Sequence, residues 1–374
     1  MKTSNLSRGA LSICIAAIFL PGCGGSQAPI GAPGAVSQSR SLTHDLGPSS
    51  VRPSKSSCPT AACIYVVNDE GGDRRITVYP TNANGNVRPY RDIAGSKTGL
   101  LDPNGVAVDS QGEIYASGRD RLLVYSASAN GNVKPLRTIA GRATHLDSFN
   151  SAVLALDSNS DAYVADDHPK CGRSRYSLCR EGYVTVYAAG AHGNVAPIRI
   201  IRGKRTRIWR TQSISVDSAG YAYVATYPVC NPSKCRGETA VLVYAPGANG
   251  DVAPAWSISG SRTGLMTPEG TAVDDAGNVY VADLTGSVLV YAAGQHGNVA
   301  PIQAISGQNT GLIETTSVAV DAARNIYVTN APSGTVYHPS VTVYAAGATG
   351  DVAPIQIIKG SKTLLYMPWG IAIH

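Results

Sequence analysis

The sequence predicts an all-β fold: a six-bladed β-propeller of four-stranded blades, closed by the C-terminal strand joining the N-terminal blade. Three observations carry that expectation. A phrase such as VTVYAAGAHGNVAPIRI (184–200) occurs six times, with its tyrosine at Tyr79, Tyr125, Tyr187, Tyr244, Tyr291 and Tyr344 and its proline at Pro89, Pro135, Pro197, Pro254, Pro301 and Pro354. Each copy runs on through Ile, Gly and Thr, as in IAGSKTGL, into a strand ending in Asp (GVAVD, 105–109), a turn and a second strand (NVYVAD, 278–283). The tyrosines are some 46 to 62 residues apart, a period that fits four short strands per blade. Finally, the two ends complete one another. The C-terminal GIAIH (370–374) is a first strand with no second, and CIYVVND (63–69) is a second strand with no first. Joined, they make a sixth blade and leave no unpaired edge.

In chain order, residues 1–22 read as an export signal and stand outside the fold. Lys2 and Arg8 precede an apolar run, Ala10 to Leu20, that is too short to span a bilayer. It ends in Leu20-Pro21-Gly22-Cys23, which resembles a bacterial lipoprotein cleavage site with Cys23 as the acylated residue. An ordinary secretory signal is the alternative. The resemblance and the neutral Gly24 imply an exported, lipid-anchored protein of the outer membrane or cell surface. Residues 23–57 combine the acylated Cys with a Gly-, Pro- and Ser-rich tether, and 58–374 form the propeller.

Of eight cysteines, Cys14 leaves with the signal and Cys23 takes lipid. The others fall into three close pairs: Cys58 with Cys63, Cys171 with Cys179, and Cys230 with Cys235. In an oxidising compartment these read as disulfide staples of loops. Zinc is the rival for such spacing, but the pairs lie in separate repeats.

We label the strands of a blade A to D and number the blades 1 to 5 after the composite one. In blade 4 the pattern places A at 270–274, B at 279–283, C at 287–291 and D at 301–305, each with alternating or β-branched residues. Asp109, Asp157, Asp217, Asp274 and Asp321 end the A strands before tight turns. An Asp there caps the turn backbone. In the C–D connection, His192 stands where other copies carry Asn84, Asn130, Asn249, His296 or Thr349, always before Gly. It reads as a turn residue.

The stretches GTAVDDAGNVYVADLTGSVLVY and GVAVDSQGEIYASGRDRLLVY resemble the repeats of NHL-type six-bladed β-propellers. The likeness spans nearly all of 63–374. It implies the fold and says little of function, because propellers host lyases, lactonases, receptors and interaction scaffolds.

Function is expected where blades differ, on the side of the B–C and D–A loops. The residues just before each A strand, Asn104, Ala152, Gln212, Glu269, Thr316 and Trp369, are expected near the axis. A second polar ring is expected at the ends of the B strands: Asn68, Gly118, Asp166, Thr226, Asp283 and Asn330. Gluconolactonase-like and paraoxonase-like propellers hold a calcium-type ion at this mouth, some of its ligands coming from the pre-strand position. Here Asn104 and Glu269 match, Asp166 and Asp283 could add oxygens, and Ala152 and Trp369 break the ring. Calcium wants six to eight oxygens, so a solvated polar funnel is the plainer reading, and no cofactor is expected.

Asp166-Asp167-His168, read as a long B–C loop, lies near His145. A His beside a carboxylate can act as a general base. No Ser or Cys nucleophile accompanies it, and His338 belongs to blade 5, so loop histidines suffice. The net charge is +6, and nine cations fall on two connections: Lys170, Arg173, Arg175 and Arg180, then Arg202, Lys204, Arg205, Arg207 and Arg210 around Trp209. Arginine forks suit phosphate, sulfate and carboxylate.

The expected function is therefore a binding scaffold on the loop face for a protein or an anionic polymer, with Trp209 as an aromatic anchor. The chain is expected to be a monomer with no nucleic-acid partner. The alternative is a channel-mouth enzyme of lactonase or lyase type.

Overall fold

A computed structural model describes residues 58, 60, 62–69, 74–146, 153–169, 180–231, 234–332 and 338–374. The signal segment, Cys23 and the tether lie outside these residues. So do Ala152, Lys170, Cys171, Arg173, Arg175 and Cys179.

Six four-stranded antiparallel sheets form the six blades of a β-propeller. The composite blade orders Pro368–Ile373, Cys63–Asn68, Arg75–Pro80 and Arg91–Ala94. Blade 1 contains Gly105–Val108, Ile114–Gly118, Arg121–Tyr125 and Arg137–Ala140, and blade 2 contains Val153–Leu156, Ala162–Pro169, Arg180–Tyr187 and Arg199–Ile201. Blade 3 contains Arg210–Val216, Ala222–Tyr227, Ala240–Tyr244 and Trp256–Ser259. Blade 4 contains Pro268–Val273, Val279–Asp283, Ser287–Tyr291 and Gln303–Ser306, and blade 5 Thr315–Val320, Ile326–Asn330, Ser340–Tyr344 and Gln356–Lys359. In blade 4, strand D thus begins two residues later than the pattern suggests, past Pro301. Proline offers no N–H to the ladder. Strand A begins two residues earlier, for a reason that bears on the channel below.

The period-2 alternation of each strand feeds two cores. Tyr65 and Val67 of the N-terminal strand pack with blade 1 residues Val106 and Leu123, while Ile64 and Val66 pack with blade 5 residues Val341 and Val343. Every neighbouring pair of blades shares such a cluster. Burial between blades is the main stabilising term, at roughly 25 cal/mol per Å² of apolar surface.

The repeated phrase supplies the pins between these layers. All six C-strand tyrosines are fully buried, and each hydroxyl donates to the carbonyl of the Thr in the loop that enters its own blade. Tyr125 reaches Thr98 at 2.7 Å, Tyr291 reaches Thr263 at 2.6 Å, and Tyr344 reaches Thr310 at 2.6 Å. Tyr79, Tyr187 and Tyr244 do the same with Thr363, Thr144 and Thr206. A buried phenol needs such an acceptor.

The Asn or Asp of GNV or GDV reaches across to the preceding blade. Asn132 Oδ1 accepts from Lys97 N, and Asp251 Oδ1 from Arg205 N. The glycine before it bridges the neighbouring D strand, as Gly193 does with Ile139. His192 is exposed beside that bridge, in keeping with a turn residue. Asp274 Oδ1 accepts from Ala276 N and Asn278 N, and its Oδ2 accepts from the Tyr280 hydroxyl at 3.1 Å. Asp109, Asp157, Asp217 and Asp321 cap their turns similarly.

Disulfides join Cys58 to Cys63 and Cys230 to Cys235. The second closes a hairpin of Val229–Asn231 and Lys234–Arg236 within the B–C connection of blade 3. Two of the three expected staples are thus present among the described residues. The third, between Cys171 and Cys179, falls on a connection outside them.

Candidate functional site: the mouth of the central channel

Strand A is the innermost strand of each blade, and its start is where backbones crowd the axis. A Cβ on Gly370 would sit 2.5 Å from Asn104 O, and one on Gly270 would sit 2.6 Å from Ser317 Cα. At Gly370 and Gly270 a side chain would meet this backbone, so glycine is required.

The residue just before each crowded position is a β-bulge. The A–B register slips between Thr211 and Ser213, between Pro268 and Gly270, between Thr315 and Ser317, and at Trp369 between Pro368 and Gly370. A bulge leaves one residue unpaired and re-aims its side chain. Here it turns Gln212, Glu269, Thr316 and Trp369 toward the axis. Asn104 takes the equivalent place in blade 1. These five line a cavity of about 460 Å³, together with Asp69, Asp102, Arg210, Tyr227 and Leu284.

Gln212 and Glu269, from adjacent blades, are hydrogen-bonded, Nε2 to Oε2. Burial pushes the Glu269 carboxyl up to about 7. The Gln212 hydrogen bond and the Arg210 charge hold it back in part, and Asp283 raises it further. Arg210 stacks over the Tyr227 ring, 4.7 Å from its centre. On the composite and blade 1 side, Asp102 takes Arg74 at 2.7 Å and also pairs with Arg119, while Asp69 stands 3.6 Å from Arg74. The Thr316 hydroxyl is buried and donates to Pro368 O at 2.6 Å.

The second ring expected at the mouth sits elsewhere. Asn68, Asp166, Thr226, Asp283 and Asn330 are completely or almost completely buried and tie down loops. Asn68 Oδ1 accepts from Tyr366 N, and Asn330 Oδ1 from Ile313 N. Asp283 Oδ2 accepts from both Met266 N and Thr267 N, and Thr226 Oγ1 accepts from Trp209 N. Gly118 is buried against Leu101 O. A B strand ends where the entering loop leaves backbone N–H groups unpaired, and a short polar side chain there satisfies them. Asp166 and Asp283 are thus buried in these contacts and do not stand at the mouth beside Asn104 and Glu269. The oxygens that would complete a calcium shell are spent on backbone donors, and Trp369 occupies the mouth. Among the described residues, no three His, Cys, Asp or Glu side chains converge to hold a metal ion.

The acid–histidine segment is strand rather than loop. Strands B and C of blade 2 remain paired out to Pro169 and Arg180. Asp166 Oδ2 accepts from the Tyr183 hydroxyl at 3.0 Å, and Asp167 Oδ1 accepts from Thr211 N and Oγ1 at 2.8 and 3.0 Å. Both carboxylates hold neighbouring elements in place. The side chains of His168 and Arg180 lie outside the described residues. His145 has φ 59°. It stands where other blades place Gly99, Gly264 and Gly311, so the left-handed backbone accounts for the position. His338 is exposed in blade 5.

The basic connection into blade 3 divides. Arg207 pairs with Glu238, its Nε 2.8 Å from Oε1, and Arg202 lies over the Tyr183 ring at 5.4 Å. Lys204 and Arg205 are exposed, while Arg210 turns into the channel wall. Trp209 is half-buried, its Cδ1 where a Cβ on Gly237 would be only 2.6 Å away.

Sequence reasoning missed Asp69, Asp102 and Tyr227 as channel residues. It also missed an apolar rim in which Met266, Ile313 and Tyr366 occupy one repeat position on successive entering loops, exposed by 67%, 51% and 39%. That repeat position, which is Trp209 in blade 3, was readable as the residue after the Ile or Leu that follows each loop's Thr.

No protein-family model matches the chain, and no curated protein matches its sequence. Among solved structures, it is similar to a protein of unknown function from Bacteroides caccae, at 14% identity and a TM-score of 0.55, over 83% of this chain and 98% of that one. It is also similar to the β-propeller domain of Cps50 (Swd1) from Myceliophteria thermophila, at 9% identity and a TM-score of 0.42, over 70% and 72%.

Proposed function

We propose that this chain is an exported binding scaffold of NHL-like repeat type, anchored through Cys23, that engages an anionic polymer or acidic protein surface with the basic connection of blades 2 and 3. The observation that carries the reading is the disposition of that connection. It leaves Lys204 and Arg205 exposed and ends with Arg210 on the channel wall beside Tyr227. Arg207 and Arg202 contribute less, being engaged by Glu238 and Tyr183. A rigid ring that displays variable loops is suited to recognition, and the salt-sensitive cations set its preference for anions.

The test is chromatography of the mature chain on a sulfated matrix such as heparin. Wild type is expected to be retained at low salt and released as salt rises. The variant Lys204→Gln/Arg205→Gln/Arg210→Gln is expected to elute markedly earlier. Identical elution of the two overturns the reading. Anchoring is tested separately by the mass of the N-terminal peptide, in which Cys23 should carry acyl chains.

A further inference from the structure

The channel mouth presents a second binding chemistry, distinct from the basic connection. Reading around the ring, the pre-strand residues are Asn104, the undescribed Ala152, Gln212, Glu269, Thr316 and Trp369. With six blades, Trp369 lies across the axis from Gln212, and Asn104 across from Glu269. One wall therefore offers an aromatic surface and the other an amide–carboxyl pair, in a cavity of about 460 Å³. That volume is at the lower end of small-molecule pockets.

The carboxylates Asp102 and Asp69 of the wall are answered within the protein: Asp102 has Arg74 and Arg119, and Asp69 has Arg74. Glu269 is bonded to Gln212, and its burial keeps a large protonated fraction at neutral pH. Carboxylates so engaged give little to a cation. The site offers side-by-side donors and acceptors, because an amide supplies both and a carboxyl can as well. Cyclic polyols use such a site well, with paired hydroxyl donors and acceptors on one side and an apolar C–H face on the other. Trp369 is the only aromatic residue in the pre-strand ring; it packs in part on the core between the composite blade and blade 1 and also lines the cavity.

We propose that the channel mouth binds a neutral saccharide unit, with a face of the sugar ring stacked on Trp369 and its hydroxyls taken by the Gln212–Glu269 pair and by Asn104. The site has the size for a mono- or disaccharide and opens on the loop face, so a terminal residue of a longer glycan can enter it.

The experiment uses the mature full chain and the methyl glycosides of glucose, galactose, mannose and N-acetylglucosamine. Each is offered at about 10 mM, since a single sugar unit is expected to bind with a Kd near ~1 mM. Saturation-transfer NMR detects binding and calorimetry measures it. At least one glycoside is expected to bind, and Trp369→Ala is expected to weaken it by about tenfold or more. Gln212→Ala should weaken it severalfold, and its circular dichroism spectrum is expected to match that of wild type. No saturation transfer from any of the four overturns the proposal. So does binding by Gln212→Ala and Glu269→Ala at wild-type strength, which decides the matter even if Trp369→Ala fails to fold. Lys204→Gln/Arg205→Gln is expected to bind the glycoside as wild type does, and Gln212→Ala to keep wild-type retention on heparin. Failure here is thus separable from failure of the basic-loop reading.

Discussion

Cys63 and His374 exchange two backbone hydrogen bonds, Cys63 N to His374 O at 2.6 Å and His374 N to Cys63 O at 3.1 Å. They are the last rung of the ladder that pairs Ile64 with Ile373 and Val67 with Gly370. The N-terminal strand of the propeller is thereby covered by the C-terminal one, and the ring has no free edge at that blade.

Removing residues 370–374 strips the inner strand from the composite blade and exposes the edge of Cys63–Asn68. The loss includes the buried Ile371 and most of the ladder. It is comparable with the whole stability of a domain, about 5–15 kcal/mol. The truncated chain is expected to lack a cooperative thermal transition and to self-associate through the bare edge. Circular dichroism melts and size-exclusion chromatography check this, and a monomer melting near the wild-type temperature would count against closure as the source of stability.

Tyr291→Phe removes a buried hydroxyl from Thr263 O and leaves that carbonyl unpaired. A cost of about 1–3 kcal/mol is expected. Tyr125→Phe breaks the equivalent bond to Thr98 in a distant blade, so the double variant should show the sum of the single effects to within about 0.5 kcal/mol. Urea titration of the four proteins measures it.

Asp274→Ala removes the acceptor for two backbone N–H groups and for the Tyr280 hydroxyl, with an expected loss of about 2 kcal/mol. Burial alone would raise this carboxyl, but the Asn278, Tyr280 and Ala276 hydrogen bonds outweigh it and the net shift is downward. A lowered carboxyl contributes stability above its unfolded value, and that contribution is lost as pH falls through the folded value. Wild type should lose its advantage over Asp274→Ala in acid, which stability curves from pH 7 downward would reveal.

Glu269 behaves in the opposite sense. Its carboxyl rises from 4.5 to about 7 on folding. Below pH 4.5 both folded and unfolded chains are protonated and burial costs nothing in charge. As pH climbs from 4.5 to 7, the unfolded chain ionises first and stability declines, by at most about 3 kcal/mol. Relative to Glu269→Gln, wild type is expected to gain stability when pH falls from about 7 to about 5. Equal pH profiles for the two proteins would show that the channel does not hold this proton.

Much of the fold was legible because its devices are local and repeated. The Tyr–Thr pin, the Asp-capped turn and the Asn–Gly connection recur in the sequence as they recur in space, so counting them counts blades. The pre-strand positions were legible as a ring for the same reason. Their bulges were not, because a bulge depends on how strand A meets strand B around a crowded axis. Asn68, Asp283 and Asn330 were misplaced at the mouth because their polarity suits a channel as well as a buried cap, and only the loop backbone above them distinguishes the two. Arg207 and Arg202 looked free until Glu238 and Tyr183, distant in sequence, were placed beside them.

By itself, then, the sequence determined the blade count, the closure of the ring and the turn chemistry, since each is set by residues within one repeat or by the two chain ends. The tertiary structure alone decided which of the two expected polar rings faces the axis and what its members do to one another. Gln212, Glu269 and Trp369 come from different repeats, and only closing the ring brings them to one cavity, where burial and neighbouring charges change what each can do.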